Sequence, residues 1–202
     1  MLIVISEETI CPGAASLVNE LFDAGMPVLH LRKPAATASD MQHLIAAIYP
    51  KYRALIALHS HHHLAEENGI KRLHFTGKQQ AETSAAMLAS LKAKGFYLSA
   101  SMHQLKEIEQ QGMYYDHVFF GPVFNSISKK GYSSVLSAHF RLPQSRTKVV
   151  ALGGIDVHNC AAAFRMGFDG IAVLGAIWQG KDPVLSFLQV KNAYDLAAGC
   201  KQ

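Results

Sequence analysis

The stretch Val118–Gly131, VFFGPVFNSISKKG, stays apolar as far as Gly121-Pro122 and then opens into hydroxyls and two lysines. An apolar run of this length reads as a buried strand feeding a polar loop, and in an α/β barrel the C-terminal end of the strand carries the chemistry. Ser126, Ser128, Lys129 and Lys130 place hydroxyl donors and cationic nitrogens within five residues, a set suited to phosphate oxygens. A solvated basic turn has the same composition, so the loop gains meaning only from its neighbours. Val150–Ile155 ends in the pair Gly153-Gly154, and residues without a Cβ let backbone N–H groups approach a ligand closely. Val173-Leu174-Gly175-Ala176-Ile177 runs from a strand into a short helix, whose first turn supplies donors and a favourable dipole. In a barrel these are the loops after strands six, seven and eight, which converge on the usual phosphate rim.

What positions them is a regular alternation of short apolar runs with longer amphipathic ones, the pattern of repeated βα units around a parallel sheet. The expected strands are Leu2–Ser6, Val28–Arg32, Leu55–His59, Arg72–Thr76, Phe96–Ser101, His117–Val123, Lys148–Gly153 and Gly170–Gly175. Helices are expected over Ala14–Ala24, Ser39–Tyr49, Ser84–Ala93, Gln104–Gln111, His158–Met166 and Pro183–Ala197, with Ser39 and Asp40 as an N-cap and Gly25, Gly95 and Gly167 at C-caps. Eight units in 202 residues predict a small single-domain (β/α)8 TIM barrel over 1–202, with an open doubly wound sheet as the alternative.

Composition narrows the function classes. The formal charge of +4 is modest and spread out, which argues against a nucleic-acid surface and suits a small anionic ligand. Cys11, Cys160 and Cys200 lack CxxC spacing and suit a reducing cytosol, with Cys11 and Cys160 read as packing residues. No segment reaches membrane-spanning length, so a soluble cytoplasmic protein with no membrane partner is expected, homo-oligomerisation being left open. The run His59-Ser60-His61-His62-His63 invites a metal reading, but consecutive residues at a strand-to-helix junction diverge. Exposed histidines at a helix start are expected instead, with no metal ligands assigned. Trp178, Phe124 and Phe120 are candidates for an aromatic pocket floor, though core packing is the commoner use of such residues.

With these residues in view, the chain resembles the thiamine-phosphate synthase/TenI family of (β/α)8 barrels. The resemblance is carried by Leu31-Arg32-Lys33, Ser101-Met102-His103, Gly121-Pro122-Val123-Phe124 with Ser126, Ser128 and Lys129, and Gly153-Gly154-Ile155, in order and at matching spacing. It implies coupling of hydroxymethylpyrimidine diphosphate with a thiazole phosphate, giving thiamine phosphate and pyrophosphate, with Mg²⁺ on the diphosphate and no organic cofactor. The implied partners are these phosphorylated pyrimidine and thiazole small molecules. Arg32, Lys33 and Lys129 are then assigned to the diphosphate, with Ser101 beside it. Ser126, Ser128, Gly153, Gly154, Leu174 and Gly175 are assigned to phosphate oxygens.

The pattern departs from the family at informative places. Strand two reads His30-Leu31-Arg32-Lys33-Pro34 where the family has Gln-Leu-Arg-x-Lys, and the two magnesium carboxylates correspond to His59-Ser60 and to the acid-free run Lys78-Gln79-Gln80. Hard Mg²⁺ prefers carboxylate oxygen, so its binding is expected to be weak. The TenI branch implies a thiazole tautomerase instead, but its catalytic histidine is Pro122 here. His30, His59, His74 and His103 sit at or just beyond predicted strand ends, where a general acid or base could reach a ligand. His30 is the leading candidate because it shares a strand face with Arg32. A non-catalytic binder of phosphorylated thiamine precursors is the remaining alternative.

Overall fold

A computed structural model describes residues 1–125, 136 and 139–199. Eight parallel strands close into a barrel in chain order: β1 Leu2–Ile5, β2 Leu29–Leu31, β3 Ile56–Leu58, β4 Arg72–Phe75, β5 Tyr97–Met102, β6 His117–Phe120, β7 Lys148–Leu152 and β8 Gly170–Val173. Leu2 pairs with Ile171 and Val4 with Val173, so the first strand seals the sheet against the last. All eight expected strands are present and the open-sheet alternative is excluded. Most end earlier than expected, because the residues beyond Leu31, Leu58 and Phe120 leave the ladder to form the mouth.

The helices are α1 Ala14–Asp23, α2 Ala38–Ala47, α3 Gly77–Glu82, α4 Ala85–Ala93, α5 Leu105–Gln111, α6 Cys160–Arg165, α7 Gly175–Trp178 and α8 Pro183–Gly199. The N-cap of α2 is Thr37 rather than Ser39 or Asp40. Its hydroxyl accepts from the Asp40 N–H at 3.1 Å, and the Asp40 carboxylate accepts from the Thr37 N–H at 2.9 Å. This reciprocal box places the acid at the third helical position, where it satisfies a free donor and faces the positive end of the dipole. Helix α3 was not anticipated. It is held by a second box in which Gln79 accepts from the Thr76 N–H at 2.8 Å. Gly25, Gly95 and Gly167 follow their helices with positive φ, as the sequence suggested. Cys160 is buried as expected, whereas Cys11 is exposed, because it lies in the loop between β1 and α1 rather than on a packed face.

Period-two alternation divides the strands between two cores. Outward residues such as Leu29, Leu31, Ile56, Leu58, Val118 and Val149 pack against the helices. Inward residues form the barrel lining, and they are of two kinds. Ile3, Ile5, Val28, Phe119, Val150 and Ala172 make one apolar cluster, joined by Leu152 and Leu174. The arc from β2 to β6 instead carries His30, His74, Ser99 and His117, with His59 just beyond β3, all buried. The register aligns His74 with Ser99 and Ser99 with His117 across β4, β5 and β6.

The seam between β6 and β7 depends on glycine. A Cβ on Gly121 would lie 2.0 Å from the Leu152 carbonyl oxygen, and one on Gly154 2.5 Å from that of Asn125. Gly153 and Gly154 also have φ of +96° and +65°, where L side chains are strained. The Val123 N–H donates to Leu152 at 2.9 Å and the Phe124 N–H to Gly153 at 3.0 Å, binding the two loops together.

Candidate active site at the barrel mouth

A cavity of about 360 Å³ opens at the C-terminal ends of the strands, within the size range of small-molecule sites. Of the residues expected at the site, Arg32, His59, Ser101, Gly153, Gly154, Leu174 and Gly175 line it. Ser126, Ser128 and Lys129 lie outside the described residues. His30 and Lys33 do not line the cavity. His30 is 1 % exposed and sits in the layer below, because its strand position turns it into the barrel before Arg32 reaches the mouth. Lys33 alternates to the other side, where its buried ammonium donates to the Thr9 carbonyl. Burial pushes the Lys33 pKa down against the opposing pull of Glu7.

Arg32 is anchored at both ends. Its N–H donates to the Ser6 hydroxyl at 2.9 Å, and its guanidinium pairs with Glu8. The ion pair is partly exposed and holds the guanidinium at the cavity edge more than it stabilises the fold. Opposite it, Asp156 accepts from the N–H groups of His158 at 2.8 Å and Asn159 at 3.2 Å, and the Asn159 amide donates to the Gly154 carbonyl at 2.7 Å. These bonds hold the rim after β7 in shape. Gly153 and Gly154 therefore serve contact with the β6 loop as well as openness to a ligand. At the next loop the Trp178 indole donates to the Ile5 carbonyl at 2.6 Å, tying α7 to β1.

Phe119 lines the cavity with Leu152 and Ala172, whereas Trp178, Phe124 and Phe120 do not. Phe120 points outward and stacks with Phe140. Sequence reasoning missed Phe119, Thr76 and Gln179 as lining residues. The two-residue period of β6, which separates His117 and Phe119 from Val118 and Phe120, was the available signal for the first.

The histidines are mostly interior groups. His30 Nδ1 and His59 Nε2 share a hydrogen bond at 3.0 Å. His74 contacts the Ser99 hydroxyl through Nδ1 and the Ser101 hydroxyl through Nε2, both at 2.9 Å. Since Ser99 donates its proton to the Leu73 carbonyl at 3.4 Å, His74 Nδ1–H is the donor to Ser99. Nε2 is then the acceptor from Ser101. Burial drives the His30 and His74 pKa values well below the usual range, with neighbouring rings adding to the effect. His59 falls to about 3 through burial and then Arg32, and His117 to about 3 through burial and then Arg72. All four are neutral near pH 7. His103 instead lines the cavity and donates Nδ1–H to the Gly121 carbonyl at 2.9 Å.

The expected exposed run breaks up on folding. His59 is buried, while His61 and His62 are partly covered and donate to backbone carbonyls of Ala36, Leu58 and His74. Only His63 is exposed.

Fold and site together define a (β/α)8 barrel whose ligand cavity lies at the strand C-termini, edged by glycines and one guanidinium. The family described as thiamine monophosphate synthase matches residues 2–177. The chain belongs to this family. It is 25 % identical over 177 residues to the thiamine-phosphate synthase of Neisseria meningitidis serogroup B, covering 84 % of this chain and 85 % of that protein. With the Prochlorococcus marinus MIT 9313 thiamine-phosphate synthase it shares 28 % over 185 residues, 87 % of this chain but 51 % of that protein. The chain thus spans about half the length of some of the curated relatives that it matches. The thiamine phosphate pyrophosphorylase structure from Pyrococcus furiosus superposes with a TM-score of 0.78 at 20 % identity, covering 97 % of this chain and 96 % of that one. The Bacteroides thetaiotaomicron structure gives 0.73 at 24 %, covering 100 % and 98 %.

The family's ion is Mg²⁺, and the residues at its expected corner do not fit it. Gln79 spends its oxygen on Thr76 and its amide on the His59 carbonyl at 3.1 Å. The Gln80 amide donates to the Phe75 and Ser101 carbonyls at 3.1 and 2.9 Å. Lys78 faces Glu82 at the surface. Neutral nitrogen donors occupy the place that hard cation chemistry needs carboxylates to fill.

Proposed function

We propose that this chain is a cytoplasmic, single-domain transferase that couples hydroxymethylpyrimidine diphosphate to thiazole phosphate. The observation that carries this reading is the meeting of Arg32, Ser101, Gly153-Gly154 and Leu174-Gly175 around one cavity over an apolar floor. Phe119, Leu152 and Ala172 hold the two rings in register for attack. The carbon–oxygen bond to the diphosphate breaks with its electron pair leaving on pyrophosphate, and the thiazole nitrogen lone pair forms the new carbon–nitrogen bond. Arg32 and Lys129 offset the charge that develops on the leaving group. Ser101 orients the diphosphate, while the glycine rim with Ser126 and Ser128 receives the thiazole phosphate. His59 faces the cavity and His30 acts through it, as a positioning residue rather than a proton carrier.

Thiamine phosphate formation from the two substrates tests this directly. Product should form, and Arg32→Gln should lower kcat/KM by about a hundredfold. No product at high enzyme concentration, under conditions where a reference synthase turns over, overturns coupling. The altered magnesium corner favours one second reading, a non-catalytic binder, which predicts tight thiamine phosphate binding without turnover.

A further inference from the structure

Below the cavity, His30 from β2, His59 beyond β3 and His74 from β4 bring three ring nitrogens within 4.8 Å of one another, all buried. His30 and His59 face each other, while His74 packs against both rings with its nitrogens on the Ser99 and Ser101 hydroxyls. The His30 ring packs edge-on to His59 and His74, with centroids at 5.2 and 5.3 Å, and His59 lies 4.0 Å from His74. The one hydrogen bond between His30 and His59 joins two imidazoles, and among the described residues His59 Nδ1 has no partner. The tautomer fixed by Ser99 leaves His74 Nε2 unprotonated, its lone pair accepting from the Ser101 hydroxyl at 2.9 Å, a bond that a metal ion would displace, and Ser99 then supports the ring as an outer partner supports a metal ligand.

We propose that His30, His59 and His74 form a binding site for one borderline divalent transition-metal ion of the Zn²⁺ class, with its fourth position toward the cavity that His59 and Ser101 line. Three neutral nitrogens suit Zn²⁺ or Co²⁺ and disfavour Mg²⁺. Tetrahedral ligands at about 2.0–2.1 Å stand roughly 3.3 Å apart, so capture draws the rings inward through side-chain torsions and replaces the His30–His59 hydrogen bond. The consecutive histidines of the sequence do not make this site. One of them, His59, joins partners from the two flanking strands.

Chelator-treated protein titrated with Zn²⁺ and with Co²⁺ by calorimetry tests the site. One equivalent should bind, and His30→Asn and His74→Asn should each weaken binding on the order of a hundredfold, while His63→Asn and His158→Asn leave it unchanged. X-ray absorption on the Zn²⁺-loaded wild-type chain reads the shell independently of variant folding and should find three imidazole nitrogens at about 2.0–2.1 Å. Absence of stoichiometric uptake, a shell without imidazole, or loss of binding in His63→Asn but not in His30→Asn overturns the proposal.

Discussion

The β7–β8–β1 side of the barrel interior is lined by Ile3, Ile5, Val150, Leu152, Ala172 and Leu174, whereas the β2–β6 side carries four histidines and two serines. Strand pairing and closure are the same on both sides. The apolar side is stabilised by removal of surface from water and is indifferent to pH. The polar side holds buried neutral rings that are stable there only while they stay unprotonated. The apolar side can therefore serve as a passive floor for ring compounds, and specific chemistry has to arise where the two linings meet the mouth.

Acid separates the two sides most strongly. His30, His59, His74 and His117 all titrate lower in the folded chain than the ordinary value of 6.5, so below that value the unfolded chain binds more protons. Stability is full above pH 6.5 and is lost as pH falls from there toward about 3. Each ring that takes up its proton only on unfolding adds about 1.4 kcal/mol per pH unit to the slope, so several such rings make the loss steep. Urea midpoints of the metal-free chain at pH 7.5, 6 and 5 should fall steeply. A flat profile would mean that the rings are hydrated or charged.

Exchanging polarity across the barrel gives smaller, opposite effects. Val150→Thr places a hydroxyl in the apolar lining and should cost about 1–3 kcal/mol, lowering Tm by several degrees. His117→Leu removes a ring whose two nitrogens have no partner among the described residues. It should be neutral or raise stability by up to about 1 kcal/mol. Equal losses in both variants would erase the distinction between the two linings.

Much of this was readable from the chain. The alternation of short apolar and longer amphipathic runs was enough for eight strands, and Arg32, His59, Ser101, Gly153-Gly154 and Leu174-Gly175 do meet at one cavity. What escaped was inward against outward direction over a single residue. His30 and Arg32 share a strand face and differ in depth, since β2 leaves the ladder between them, whereas Phe119 and Phe120 lie on opposite faces of β6, and apolar runs buried on both faces do not say which face is inward. Convergence of His30, His59 and His74 depends on barrel closure across three strands, which no local pattern encodes. The tight seam of Gly121, Gly153 and Gly154 was likewise hidden, since a glycine pair reads the same whether a ligand or another loop occupies the missing Cβ.

On the proposed reading an anion rim persists while the magnesium corner holds neutral nitrogen donors in place of carboxylates. Calorimetric titration of pyrophosphate into the metal-free chain, in excess Mg²⁺ and again in chelator, tests it most directly. Pyrophosphate should bind in both, with affinities equal within about twofold. Tightening by Mg²⁺ of about tenfold or more, which is about 1.4 kcal/mol, or no binding in either condition, would contradict it.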